Sequence, residues 1–179
     1  MAEFDINKVK GNDRFIAGGA IVLLILSFFP WRTASVSGFG GFGNSGHVSA
    51  WGTGSYGWPK LAILLALAAG AVVIARLMGA LDSMQLPAGV NFITLALTGA
   101  ATVLLLLQFL LGFKSAGSGP FKVSLHPGFG FYVGILVSAA MTYFAFLNFK
   151  ASGEQMPSMP QLPGTPPADT PPATPPADS

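Results

Sequence analysis

The chain has 179 residues, of which 51% are hydrophobic and only 9% charged, with a net charge of +2 and no cysteine. A soluble domain carries about 25% charged residues, so this composition argues against a water-soluble globule. The weak, scattered positive charge argues against nucleic acid as a partner, and the missing cysteines remove disulfides, thiolate catalysis and Cys-based zinc sites.

Residues 1–14 are polar, and Phe4, Ile6 and Val9 give them an amphipathic character suited to a membrane interface. Lys8, Lys10 and Arg14 precede an apolar run, as in a secretory leader. That run closes on Phe28-Phe29-Pro30-Trp31-Arg32, which is too bulky for a small-residue cleavage site. An uncleaved first span is therefore expected over residues 15–31, with a start as early as Asn12 and a stop at Pro30. Residues 32–60 form a long loop rich in Gly, Ser and aromatic residues. Two pieces of it, 32–37 and 47–51, alternate as strands do, and the glycines between them predict a wide hairpin turn.

Further apolar stretches follow at residues 61–78, 90–113 and 129–149, each near the roughly 20 residues that cross a bilayer. The short connection 79–89 holds Asp82 and Pro87. The loop 114–127 contains Phe121-Lys122-Val123-Ser124-Leu125, an alternating segment that predicts a third strand beside the hairpin. Residues 151–179 hold the near-repeats Thr165-Pro166-Pro167-Ala168, Thr170-Pro171-Pro172-Ala173 and Thr174-Pro175-Pro176-Ala177. Such a tract buries too little to fold and is expected to be an extended, disordered tail. The fold expected is an all-α membrane protein: a four-transmembrane-helix bundle across 15–150, with a small external β-cap on the loops 32–60 and 114–127.

Helices in lipid associate through small residues. Gly130, Gly134, Ser138 and Thr142 recur every four residues in the last span, as do Ala62, Ala66 and Gly70 in the second, and both rows are expected to pack helices. Thr94, Thr98 and Thr102 form a third row, with hydroxyls able to bond carbonyls of their own helix. Gln108, inside the third span, is expected to bond across to Ser138 or to a backbone carbonyl of the fourth span. Leu104–Leu107, Leu110 and Leu111 are expected to meet lipid or an apolar partner. Arg76 is placed to snorkel, and Asn91 and Asn148 fall at span ends, where an interface suits them. No acid, lysine or histidine lies deep in a span, which argues against ion-coupled transport and proton pumping.

His47 and His126 both fall in the external loops, but two ligands without a carboxylate make a poor metal site, and no metal or cofactor is expected. The glycine run 38–43 lacks the Lys-Ser/Thr of a phosphate-binding loop. No Ser/His/Asp constellation is credible, since Asp82 lies on the face opposite both histidines, so an enzyme is not expected. The external aromatics Phe39, Phe42, Trp51, Tyr56 and Trp58 are the candidate partner-binding residues. Basic residues and the placement of all three tryptophans favour an integral plasma-membrane protein with cytoplasmic termini.

Phe29-Pro30-Trp31, the Pro127-Gly128-Phe129-Gly130 opening of the last span and the Thr-Pro-Pro-Ala tail carry a resemblance. The chain resembles the uncharacterised four-helix membrane proteins with Pro-rich tails of high-GC Gram-positive bacteria. Its layout is also similar to that of claudin-type proteins, without the Trp and Cys signature of their first loop. Together these features imply a non-enzymatic envelope protein, acting as a structural, scaffold or accessory subunit on other membrane proteins or on itself. The alternative is an oligomeric channel or small-solute carrier with the threonine row along its pore.

Overall fold

The computed structural model describes residues 11–37, 43–52, 58–81, 88–113, 116–118 and 121–154. The elements run α1 (Gly11–Leu26), β1 (Pro30–Ser37), β2 (Gly43–Ser49), α2 (Trp58–Leu77), α3 (Val90–Leu111), β3 (Ala116–Ser118), β4 (Phe121–Pro127) and α4 (Phe129–Ser152). The lead-in residues Phe4, Ile6 and Val9, the glycine run at 38–42, Phe39, Phe42, Tyr56, Asp82 and the tail from 155 lie outside the described residues.

Four helices pack in chain order around one core, with α1 closing against α4. α2, α3 and α4 are each long and apolar enough to cross a membrane. α1 has 16 residues, or about 24 Å at 1.5 Å per residue. It ends at Leu26, before the expected stop at Pro30 and five residues short of the expected span end at 31. The N–H groups of Phe28 and Phe29 bond to Ile25 and Leu26, tightening the last turn to i−3 spacing. Pro30 has no N–H and drives the residue before it out of helical geometry, so Pro30 and Trp31 begin β1 instead of ending a helix.

α2 starts earlier than residue 61, with Pro59 in its first turn, where a missing N–H costs nothing. It closes in a Schellman motif: Gly79, at φ 71°, donates to Arg76 O, and Ala80 donates to Ala75 O. α4 runs past 149 to Ser152 and is ended by Gly153, at φ 67°.

The strands form one antiparallel sheet in the order β2-β1-β4-β3. The second strand lies at 43–49, not 47–51, so Trp51 falls beyond it. The segment from Phe121 does add to the hairpin, pairs with β1 along Arg32–Ser37, and itself folds back on the short β3. The central position of β1 joins the first loop to the second. The sheet sits at the end of the bundle remote from Gly11 and Ser152.

The core is built from small and medium side chains. Ala62, Ala66, Gly70, Gly130, Gly134 and Ser138 are all buried, and Thr142 is half-buried. Around them an outward belt of large apolar groups covers the helices, including Leu110 at 73% exposed, Leu136 at 69% and Phe146 at 44%. Leu106 and Leu111 are in that belt, whereas Leu105 is buried; the leucine run is split by helical periodicity.

Candidate functional site

At the end of the bundle that carries Gly11 and Ser152, six polar residues from four helices form one hydrogen-bonded chain. Asn12 Nδ2 donates to Asn148 Oδ1 at 3.1 Å, and Asn148 Nδ2 donates to Asp13 Oδ1 at 2.7 Å. Arg76 Nη2 donates to the other oxygen of Asp13 at 2.5 Å, and its Nη1 to Asn91 Oδ1 at 2.6 Å. Asn91 Nδ2 in turn donates to Glu154 Oε1 at 2.8 Å. Asp13 is 1% exposed. A buried carboxylate is costly unless paired and hydrogen-bonded, and both its oxygens are satisfied from two different helices.

Glu154 performs a second task. Its Oε2 accepts from the backbone N–H of Phe92 at 3.1 Å, and its Oε1 lies 3.5 Å from that of Asn91. These are orphan donors of the first turn of α3, whose own N-cap, Gly89, offers no side-chain bond. The carboxylate thus caps α3 from the far end of α4, at the positive end of the helix dipole. Two glycines permit this. Gly153, in the left-handed region, reverses the chain so that Glu154 turns back on the bundle. Gly89 leaves room for it: a Cβ there would lie 2.2 Å from Glu154 Cδ.

At the opposite end the sheet is seated by Trp31, which is 1% exposed. Its ring lies against the glycine row of α4: a Cβ on Gly130 would come 2.9 Å from Trp31 Cδ1, and one on Gly134 3.0 Å from Trp31 Cη2. The indole N–H donates to Leu26 O at 2.7 Å, and the Trp31 carbonyl accepts from Gly128 N at 2.9 Å. Phe131 meets the indole edge-on at 5.7 Å between centroids, and Phe113 meets Phe131 at 5.1 Å. The Arg32 guanidinium lies 5.5 Å from the Phe113 ring centre. Trp51 is tied in as well: its Nε1 donates to Ser27 Oγ at 2.7 Å, and Ser27 Oγ donates to Leu24 O at 2.6 Å.

Several polar side chains differ from their expected placement. The head of Arg76, expected to snorkel, is held by Asp13 and Asn91. Asn91 and Asn148 do lie near helix ends, as expected, but there they are members of the bonded chain. Gln108 is buried but does not reach Ser138: its Nε2 has no hydrogen-bond partner among the described residues, because the side chain folds back over Gly112. The residue that does reach α4 is Thr102, whose Oγ1 lies 2.7 Å from Ser138 Oγ and 2.9 Å from Thr142 Oγ1. Thr94 and Thr98 are buried and donate to Val90 O and Thr94 O of their own helix. Of the candidate partner aromatics, Trp51 is half-buried and committed to Ser27, and Trp58 stands exposed at the start of α2.

The sequence signal for the bonded chain is thin, since Asp13 lies in a polar lead-in and Glu154 at the edge of a polar tail. Neither carboxylate is aimed at a nucleophile, and among the described residues no three His, Asp or Glu side chains cluster. Chemically the arrangement is a clasp, which holds four helix ends in one geometry. Comparison with protein-family models, curated proteins and solved structures finds no match.

Proposed function

We propose that the chain is a four-pass integral membrane protein of the cell envelope, with both termini in the cytoplasm, acting as a structural, scaffold or accessory subunit. The observation that carries this is the contrast between a bundle bonded shut at both ends and an outer surface left apolar along its length. The clasp and the Trp31 seat commit their own polar side chains to holding the fold. Leu110, Leu136, Phe28 and their neighbours face outward, where only lipid or another apolar surface suits them.

Four crossings are supported by where α1 begins and ends. Its first turn bonds to the last turns of α2 and α4 through Asp13, and Ser27, just after its end, bonds to Trp51 beside the sheet. α1 therefore traverses the same thickness as its longer neighbours. A groove of about 290 Å³ between α1 and α4, lined by Phe15, Gly18, Gly19, Val22, Ala140 and Phe144 among others, indents the outer surface. Gly19 serves the α1–α4 contact itself, facing Met141, whereas a Cβ on Gly18 would meet nothing within 4 Å, so Gly18 admits close approach of a partner helix. The threonine row, buried within one chain, weighs against a pore lined by Thr94 and Thr98.

Photo-crosslinking in native membranes tests the subunit role. A photoreactive residue at Leu110, Gly18 or Trp58 is expected to give a discrete adduct with one membrane protein or with a second copy. Lipid-only adducts at all three positions, or solute flux through reconstituted liposomes, would overturn the assignment.

A further inference from the structure

The sheet carries a polar array that neither the clasp nor the Trp31 seat uses. In an antiparallel ladder, directly opposed residues project to the same face, and alternate residues along a strand share it. β1 is central, so Thr33 is opposed by His47 of β2 on one side and by His126 of β4 on the other. The two histidines of the chain therefore stand in one row with a threonine between them. Two residues along, Ser35 is opposed by Ser45 and Ser124, giving a second row of hydroxyls on the same face. Ala34, Val36, Val48, Val123 and Leu125 belong to the other face. His47 and His126 are exposed, Thr33 is half-buried, and Thr33 Oγ1 lies 3.4 Å from His47 Nδ1.

Opposed Cα atoms in neighbouring strands are about 5 Å apart, so those of the two histidines are separated by roughly 10 Å. That span is within the reach of two imidazoles that lean over the intervening threonine toward one ion. We propose that His47 and His126 form a two-imidazole site for a divalent transition-metal ion of the zinc and copper class, with Thr33 as a positioning residue. When the ion is bound, His47 Nδ1–H donates to Thr33 Oγ1, which leaves the Nε2 lone pair for the metal. Imidazole suits zinc, copper and nickel, whereas magnesium and calcium require oxygen ligands. Water fills the remaining positions, so the site is open and exchangeable. The bound ion ties β2 to β4 across β1, linking the two external loops through a second connection besides the ladder.

Two imidazoles without a carboxylate make a weak site, and the sequence puts both histidines in the external loops without a reason to stand side by side. The register of three strands supplies that reason.

The test uses full-length protein in detergent with its affinity tag removed, titrated with zinc chloride by calorimetry. Copper chloride at one equivalent is followed by electron paramagnetic resonance. One ion per chain is expected, with nitrogen couplings from two imidazoles in the copper spectrum. His47→Gln and His126→Gln should each weaken zinc binding by at least about tenfold, and Thr33→Val by a smaller factor of about three to ten. Couplings from a single nitrogen, or zinc affinity within about twofold of the parent in either histidine variant, would overturn the site. Both substitutions sit on an exposed sheet face, and an unchanged circular dichroism spectrum checks the fold. The copper spectrum of the unaltered protein decides the question without any variant.

Discussion

Gly89 and Glu154 form a pair whose energetics can be separated. Gly89 has φ −58° and ψ 144°, a conformation open to any residue, so alanine meets no backbone objection there. What it meets is the Glu154 carboxylate. Gly89→Ala should evict that group from the α3 terminus and cost about 1–2 kcal/mol, the scale of a lost cap. In a Glu154→Ala background the same substitution should be neutral or slightly stabilising; thermal unfolding in detergent of the four proteins of this cycle measures the difference. Asp13→Ala leaves Arg76 without its carboxylate. It should lower stability by on the order of 3 kcal/mol, with partial recovery in Asp13→Ala/Arg76→Leu, because an apolar pair leaves no stranded charge. An additive double variant would deny the coupling. Little of this was legible beforehand. Arg76 at a span end looks the same whether it snorkels or pairs, and a polar residue such as Asp13 ahead of an apolar run carries no mark of its burial.

At the scale of elements, the junction of α1, β1 and α4 is organised by one large ring against two glycines. Gly130→Ala places a methyl group against Trp31 Cδ1 and 3.2 Å from Leu26 O. It should cost about 1–3 kcal/mol as overpacking, while Trp31 fluorescence shifts toward that of a wetter environment. Ser27→Ala strands the buried end of the Trp51 indole N–H and should cost about 1–3 kcal/mol. Trp51→Phe, which removes the donor, should make Ser27→Ala cheaper, and equal costs in both backgrounds would rule out the bond. The spacing of Gly130 and Gly134 was readable as a packing row, but its partner was not: small-residue rows predict close approach without saying what approaches. The strand at Phe121 followed from alternation alone. The end of α1 was misplaced because hydropathy continues through Phe28, Phe29 and Trp31, whereas Pro30 and the tight turn before it decide the conformation.

For the whole molecule, the lengths of α2, α3 and α4 carried most of the bundle in the sequence, since apolar runs near 20 residues have few other uses. The closing of α1 on α4 was not carried, because helix order around a core depends on side chains far apart in the chain. Topology can be tested directly in a protein without native cysteine. Ser45→Cys is expected to react with a membrane-impermeant maleimide added to intact cells. Ala2→Cys and Ser158→Cys should react only after permeabilisation. Labelling of Ala2→Cys from outside would mean that α1 does not cross, and labelling of Ser158→Cys from outside would invert the whole arrangement.

The clasp also has a consequence for biogenesis. Asp13 is synthesised ahead of its partners: Asn148 comes 135 positions later and Glu154 later still. While the chain is being made, α1 therefore exists for a time without the clasp partners that its acid has in the finished fold. Arg76 is the earliest of those partners on another helix to be synthesised, so the α1–α2 half of the clasp can form before the rest arrive. Final locking is then an event of late synthesis, and a nascent chain stalled before α4 should be the species that quality-control proteases recognise.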